Sequence, residues 1–518
     1  MKTIKLAAIV LGMVGMVAGI GCDKALDETP ISTIPPDKFW KDKNDAINWV
    51  AGIYNSLQST LRTNWFDWGE VRSDNVRVGG TGNAQLTMIT NTLSANDADI
   101  NGTTRWTDMY TTISLCNYGI KYLPPMIDQN LDGGASVYRE LLGQCYAMRA
   151  LMYFYGLRVW GKLPIHTIPV ESISQPNELP RSPIADIKQR IMEDITESLK
   201  TIGNSTSLKY NIQKAAVYAL KTDVHMWFQE YDDALTASQS CITESKCTWV
   251  TSIVDWKRIF LDPVTSTETI FTLYWSSVER GNGVGVCQKL GSSSNTNQYE
   301  IVTPIWQELK DRIDTVSGKS IDGRYWALWD TLTYNNPTTY DDAVVQLGKF
   351  YPWKPNAPLG TGFVLEGNND CNAKIPIYRF ADVMLLRAEA LNRKGRHQEA
   401  LDIVNAVRSR VGYTVQALLT DYTGDIMAEI ERTILKERQL ELLGEGKRWF
   451  DMCRIGTIYN YTTGYEYLRE IMNPILASRN GAILYEGENM GRILYPINSD
   501  VIKANAKLSG DQNPPYDE

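Results

Sequence analysis

Histidine is nearly absent, with three residues in a chain of 518. That scarcity argues against a histidine-rich metal centre. No CxxC pair occurs, which argues against zinc ribbons and dithiol redox chemistry. A basic excess is missing too. Lysine and arginine number 52 against 60 acids, a net charge of −8, which excludes a general surface for nucleic acid or anionic membrane. Hydrophobic and charged contents of 43% and 22% are those of an ordinary globular protein.

Aromatic residues are what the chain has in plenty: 15 Trp, 27 Tyr and 10 Phe. Many stand in segments rich in Gly, Asn and Ser.

The first residues read as an address. "MKTIKLAAIVLGMVGMVAGIGC" carries Lys2 and Lys5, then an uncharged run from Leu6 to Gly21, then Cys22. The run is short for a membrane span, which takes about 20 apolar residues, and suits an export signal. Gly21 directly before Cys22 marks a lipoprotein cleavage site, with Cys22 as the lipidated first residue. Gly19 stands where such sites usually carry Leu. Without Cys22 seven cysteines remain, an odd number, so they cannot all pair within the chain. Cys145 lies in a helical pattern and reads as a small buried hydrophobe. Cys241 and Cys247 are near enough in sequence to bridge.

Along the chain, helical periodicity dominates. Helices are expected over about 44–61, 104–123, 138–160, 184–201 and 425–443, with strands at 268–275 and 491–497. Residues 215–242 align with 381–408, each a helix, a short polar break and a second helix entered through Asp233-Ala234-Leu235 or Glu399-Ala400-Leu401. Small alanines at the contact and a short break describe tetratricopeptide-like helix pairs. Between them, about 249–375, lies a stretch rich in Gly, Asn, Ser, Pro and aromatics, long enough to be functional. Its "GNGVGV" (281–286) lacks the strand–helix frame of a phosphate loop and reads as flexible loop.

"KERQLELLGEGKRWFDMCR" (436–454) poses a different question. Advancing 100° per residue from Ile426 puts Glu437 and Glu441 at about 20° and 60°, on the face shared by Ile430 and Ile434. Two carboxylates on a buried face suit a glycosidase, whose acids flank the scissile bond. But Arg438, Lys447, Arg448 and Arg454 are close by, and a buried acid without a cation is costly. Structural ion pairs are therefore expected.

Several segments in order resemble the SusD/RagB family of outer-membrane nutrient-binding lipoproteins. They are "FWKDKNDAINWVAGIYNSL" (39–57), "RWTDMYTTISLCNYGIKYL" (105–123), "RALMYFYGLRVWGKLPI" (149–165), "IPIYRFADVMLLRAEALNRKGRHQEALDIVNAVRSRVG" (375–412), "ILKERQLELLGEGKRWFDMCRIG" (434–456) and, at the end, "LYPIN" (494–498) with "DQNPPY" (511–516). Pro515 replaces the usual Gly before Tyr. About 270–370 matches least. The resemblance implies a mainly α fold, a superhelix of tetratricopeptide-like pairs with few short strands and a loop-rich, aromatic ligand face. It also implies a signal peptide (1–21), one domain over 22–518, no catalysis, and an outer-membrane location facing the exterior. The implied partner is a SusC-like TonB-dependent transporter receiving oligosaccharide. No cofactor, metal or nucleic acid is called for.

Sugar sites stack aromatic rings on pyranose faces and bind hydroxyls through amides, carboxylates and arginine. Candidate ligand residues are Trp65, Trp68, Arg72, Asp74 and Asn75 in "NWFDWGEVRSDN" (64–75), and Trp275 ahead of "SSVERGNGVG". Arg324, Tyr325, Trp326 and Trp329 in "DGRYWALWDTLTYNN" (322–336) complete the set. Trp160 and Trp449 fall in scaffold segments. The alternatives to a glycan carrier are a peptide carrier of the RagB type, a glycoside hydrolase and a structural repeat adaptor.

Overall fold

The fold is that of a computed structural model, which describes residues 39–80, 82–172, 175, 177–205, 207–280, 283–291, 297–313, 320–329, 347–353, 363–364, 371–456 and 464–517. Cys22 and the expected signal peptide lie outside the described residues.

The fold is mainly α. Helix α1 (Lys43–Leu61) begins where the Asp42 carboxylate accepts the Asn44 and Asp45 backbone N–H groups, the N-cap arrangement that satisfies orphan donors of a first turn. The six-residue α2 (Asn64–Gly69) follows and is buried throughout. Long helices α3 (Thr107–Asp128) and α4 (Ala135–Trp160) pack together, α1 lies on α3, and α5 (Ile184–Thr201) lies on α4. Helix α3 runs to Asp128, past the expected end at about 123, with Pro124 and Pro125 inside it.

The repeat seen in the sequence is two helix hairpins. Helices α6 (Lys214–Trp227) and α7 (Tyr231–Ser245) form the first. After α8 (Ile253–Leu261) and the short α9 (Gly323–Leu328), α10 (Phe380–Arg393) and α11 (His397–Ser409) form the second. The hairpins meet through α7 on α10, where Met226, Ala234, Leu386 and Ala390 share a small core. Ala234 permits the close approach its position had suggested, facing Ala390. Helix α12 (Ile426–Glu441) packs on α10 and α11, and α13 (Arg448–Arg454) follows it.

Strands are few: β1 (Val76–Val78), β2 (Thr269–Thr272), β3 (Tyr299–Ile301) and β4 (Pro376–Arg379), paired antiparallel as β1–β3 and β2–β4. The strand expected at 491–497 does not form. Glu488–Ile493 winds as a 3-10 helix. The extended residues beyond it bond to Val159 and to the Gln512 side chain rather than to a ladder. The stretch between the hairpins is stapled by a Cys287–Cys371 disulfide with Cα atoms 5.9 Å apart. Cys241 and Cys247 are free thiols that donate to the Ala215 and Thr269 carbonyls. Cys145 is fully buried and unpaired, as its helical setting had indicated.

Candidate functional site

The two carboxylates of α12 sit inside a lattice of opposite charge. Glu437 and Glu441 are both completely buried. Glu437 meets Arg324 at 2.7 Å and Arg408 at 2.9 Å. Glu441 meets Arg379 and Arg410 at 2.7 Å each, Arg324 at 3.1 Å, and accepts the Trp256 indole N–H at 2.8 Å. Asp322, Glu268, Glu445 and Lys349 extend the lattice through the same arginines and the Lys349–Glu445 pair. Burial alone would raise the Glu437 carboxyl, but Arg324, Arg312 and Arg408 outweigh it and hold it at about 2. Glu441 is likewise held well below its ordinary value by Arg410, Arg379 and Arg324, against the penalty of burial. A general acid needs its proton near the working pH, and neither group keeps one. The pair is structural, as the neighbouring arginines had suggested.

The expected ligand residues lie mostly in the core. Trp68 is 1% exposed, donates to the Thr103 carbonyl and stands edge-on to Trp160. Trp65 packs edge-on against Phe66, and with Trp275 it encloses a cavity of only about 20 Å³. Arg72 lies over the Trp449 and Tyr495 rings and donates to Asn91 and to the Ile493 carbonyl. Asp74 binds Arg448 at 2.7 Å, and Asn75 donates to Glu70 and accepts from Gln439. Arg324 is consumed by the ion lattice, while Tyr325 and Trp329 are buried. Of the six aromatic candidates only Trp326 keeps part of its surface open; its N–H donates to the Ser320 carbonyl. The remainder of "DGRYWALWDTLTYNN" lies outside the described residues.

Glu70 was not anticipated. Its carboxylate accepts the Gly444 and Gly446 N–H groups and the Asn75 amide, tying α2 to the turn between α12 and α13. The approach is so close that a Cβ on Gly69 would lie 1.8 Å from the Gly446 carbonyl oxygen. Burial pushes this carboxyl up to about 7 even though three N–H donors favour its charge.

Open space lies elsewhere. A groove of about 1230 Å³ runs between the first turns of α3, a strap with described residues 164–172, 175, 177 and 178, and residues 500–508 near the C-terminus. Tyr110 and the largely buried Trp106 line it with rings 5.7 Å apart and inclined at 67°. The strap is held to α3 by polar bonds. Tyr110 donates to the Pro164 carbonyl at 2.7 Å, Asn117 to the His166 carbonyl at 3.0 Å, and Tyr118 to the Val170 carbonyl. Burial lowers the His166 imidazole, which stands edge-on to Tyr110, so it stays neutral at pH 7. Thr111, Ser114, Asn177, Glu178 and Lys507 add hydroxyls, an amide and charges of both signs along the walls. Arg105 pairs with Asp500 at the mouth. Rings, hydroxyls and amides converging on a wide, open groove suit a polar ligand with apolar faces. The signal for it in the sequence was the spacing of Trp106, Tyr110 and Ser114 on one helix face, but the other walls come from distant segments.

His225, Glu230 and Asp233 also approach one another at the α6–α7 turn. Glu230 is already bound by the Lys188 ammonium and by His225, which closes the turn.

Comparison with known proteins follows the same lines. A family model described as "SusD family" matches residues 290–516, and one described as "Starch-binding associating with outer membrane" matches residues 26–225. SusD-like protein P38 of Formosa agariphila is 27% identical, with 99% of each chain covered; SusD-like protein P2 of the same organism is 23% identical over 88% of this chain and 91% of its own. Among solved structures, a laminarin-binding SusD-like protein superposes with a TM-score of 0.69 at 19% identity, covering 92% of this chain and all of its own. B. fragilis NanU superposes at 0.68 and 21% identity, covering 95% of this chain and all of its own.

Proposed function

The chain belongs to the SusD/RagB family, and from that premise we propose that it is a non-catalytic, cell-surface lipoprotein that binds oligosaccharide in the α3 groove. It hands that ligand to a SusC-like TonB-dependent outer-membrane transporter. The observation that carries the reading is the groove itself: two rings, hydroxyls, amides and both signs of charge around about 1230 Å³. A family description naming starch binding at the outer membrane, and a relative in fold titled as laminarin-binding, support a glycan. Among the described residues, no helix is long and apolar enough to cross a membrane. Attachment in this reading is by the lipid on Cys22 once the leader 1–21 is removed. The segment 23–38, with prolines at 30, 35 and 36, lies outside the described residues; its polar, proline-bearing composition suits a linker.

Calorimetry against a panel of oligosaccharides tests the reading. At least one glycan should bind, and Thr111→Trp or Ser114→Trp, which plug the groove, should weaken it at least tenfold without shifting the melting temperature. Incubation should yield no cleaved products. Glycan binding untouched by both plugs would move the site, and binding of peptides alone would replace glycan as the ligand. Cys22→Ala should release the protein from the membrane fraction or leave its precursor unprocessed.

A further inference from the structure

Ile168 lines the groove from the strap and is 67% exposed. Apart from Val278, no other large hydrophobic among the described residues exceeds 58%. An isolated exposed apolar residue is ordinary, but this one is held in place. Pro169 follows it and restricts the Ile168 backbone to extended conformations. The backbone is pinned on both sides: the His166 carbonyl accepts from Tyr153 and Asn117, and the Val170 carbonyl from Tyr118. Branching at Cβ limits the side chain itself to few rotamers. A stiff aliphatic group therefore stands at open space, with little freedom left to lose when a ligand covers it.

Polar groups around it are already engaged. The Pro164 carbonyl accepts from Tyr110, and the Pro169 carbonyl from Gln175, whose amide oxygen accepts the Glu171 N–H. Asn117 gives its amide N–H to His166 and takes an N–H from Arg149. Lys121 and Tyr122 hold the Glu171 carboxylate. Leu115, Val170 and Val501 line the same groove half-buried, while Thr111, Ser114, Asn177 and Glu178 lie on other parts of the lining. The Ile168 stretch thus offers a ligand chiefly aliphatic surface. Pressed against a sugar hydroxyl, that surface removes water and returns no hydrogen bond. Pressed against a methyl group, it gains apolar burial.

We propose that the groove takes oligosaccharides bearing methyl groups, as 6-deoxy and acetylated sugars do, and that Ile168 covers the methyl. The inference rests on the function proposed above and narrows its ligand class. The hydroxyls and the amide elsewhere in the groove hold the rest of the sugar, and Ile168 separates substituted from plain chains. Each methyl so buried strengthens binding about fourfold.

The test is calorimetry on the full-length protein with matched pairs of oligosaccharides. O-acetylated manno-oligosaccharides are set against the same preparation after mild alkaline deacetylation, chito- against cello-oligosaccharides, and rhamnose-terminated chains against mannose-terminated ones. In at least one pair the methyl-bearing member should bind about fourfold or more tightly than its partner. Ile168→Ser should remove that advantage while leaving the partner's affinity and the melting temperature unchanged. Ile168→Val, which keeps a branched aliphatic group, should retain most of it. If the glycans that bind carry no methyl groups, or if Ile168→Ser leaves the advantage intact, the proposal is overturned and the function stands. Equal losses for both members of a pair make Ile168 a general contact and overturn the ligand class. Binding of no oligosaccharide at all defeats the function as well, and binding of aliphatic peptides alone assigns Ile168 to a peptide.

Discussion

Arg324 with Glu441, and Arg105 with Asp500, join the same two functional groups in opposite settings. The first pair is fully buried, and Glu441 is surrounded by two further arginines and an indole N–H. The second spans the groove mouth with side chains 40% and 58% exposed. Removing one partner of a buried pair strands a charge without water, whereas water replaces an exposed partner. Charge in this chain is therefore architecture in one place and surface chemistry in another, and burial, not residue type, separates them.

The comparison breaks most visibly at Glu441. Glu441→Gln leaves Arg379, Arg410 and Arg324 competing for fewer anions and should cost about 3–5 kcal/mol, read as a lower melting temperature. Glycan affinity of the protein that stays folded should be unchanged; a selective loss of affinity at constant stability would return α12 to the active-site reading. The lattice also sets an acid limit. Glu437 is depressed from 4.5 to about 2, so its contribution is complete above pH 4.5 and disappears as pH falls towards 2. Glu70, raised to about 7, acts oppositely: its native carboxyl holds a proton that the unfolded chain gives up near 4.5. Stability from that site is therefore present below pH 4.5 and is lost as pH rises through about 7. Urea unfolding across pH 2–8 in wild type and Glu437→Gln should show the variant losing the acid-side slope.

Trp329 and Trp326 repeat the contrast with aromatic groups. Trp329, just past the short helix α9, is buried within the core, and Trp326 on that helix is half-open. Trp329→Ala should cost about 3–5 kcal/mol by leaving a cavity. Trp326→Ala should cost no more than about 2 kcal/mol. If it also weakens glycan binding severalfold, ligand reaches the stretch between the hairpins as well as the groove.

How much was legible follows from the range of each signal. Hairpins α6–α7 and α10–α11 are written in local periods and in the Ala-Leu repeat, so their positions were readable. The ion lattice was readable because 100° steps put Glu437 and Glu441 beside Ile430 and Ile434, where only ion pairing is affordable. The tryptophans were not: α2 has six residues and is buried on every side, so no period reveals which way Trp65 and Trp68 face. The groove was hidden for another reason. Its walls come from residues 105–117, 164–178 and 500–508, and only the fold brings them together.

The disulfide sharpens the contrast at an intermediate scale. Cys287 and Cys371 close a loop across 84 positions, spanning much of the variable stretch and lying outside the groove lining. Serine at both positions should cost about 2–4 kcal/mol, chiefly through the freedom returned to the unfolded chain. Groove affinity should hold, and reductant should lower the melting temperature of wild type but not of the double variant.

The smallest effect belongs to Arg105. An exposed ion pair contributes about 0–1 kcal/mol because each partner is solvated when the other leaves, so Arg105→Ala should barely move the melting temperature. Its position gives it another consequence. The guanidinium stands at the groove mouth and also reaches Asn498 at 3.4 Å, so it supplies a donor fork on one wall while neutralising Asp500. With the alanine variant, Asp500 is left as an uncompensated anion on a groove that Glu178 also lines. Neutral oligosaccharide should then bind a fewfold more weakly, from the lost hydrogen bonds, with little dependence on salt. Acidic oligosaccharide should lose more, and raising salt should shrink that extra loss by screening the freed carboxylate. Calorimetry of both ligand types at low and high salt separates the two contributions. Equal losses for neutral and acidic ligands at both salts would make Arg105 a hydrogen-bond donor alone, and no loss for either would place the ligand away from the mouth.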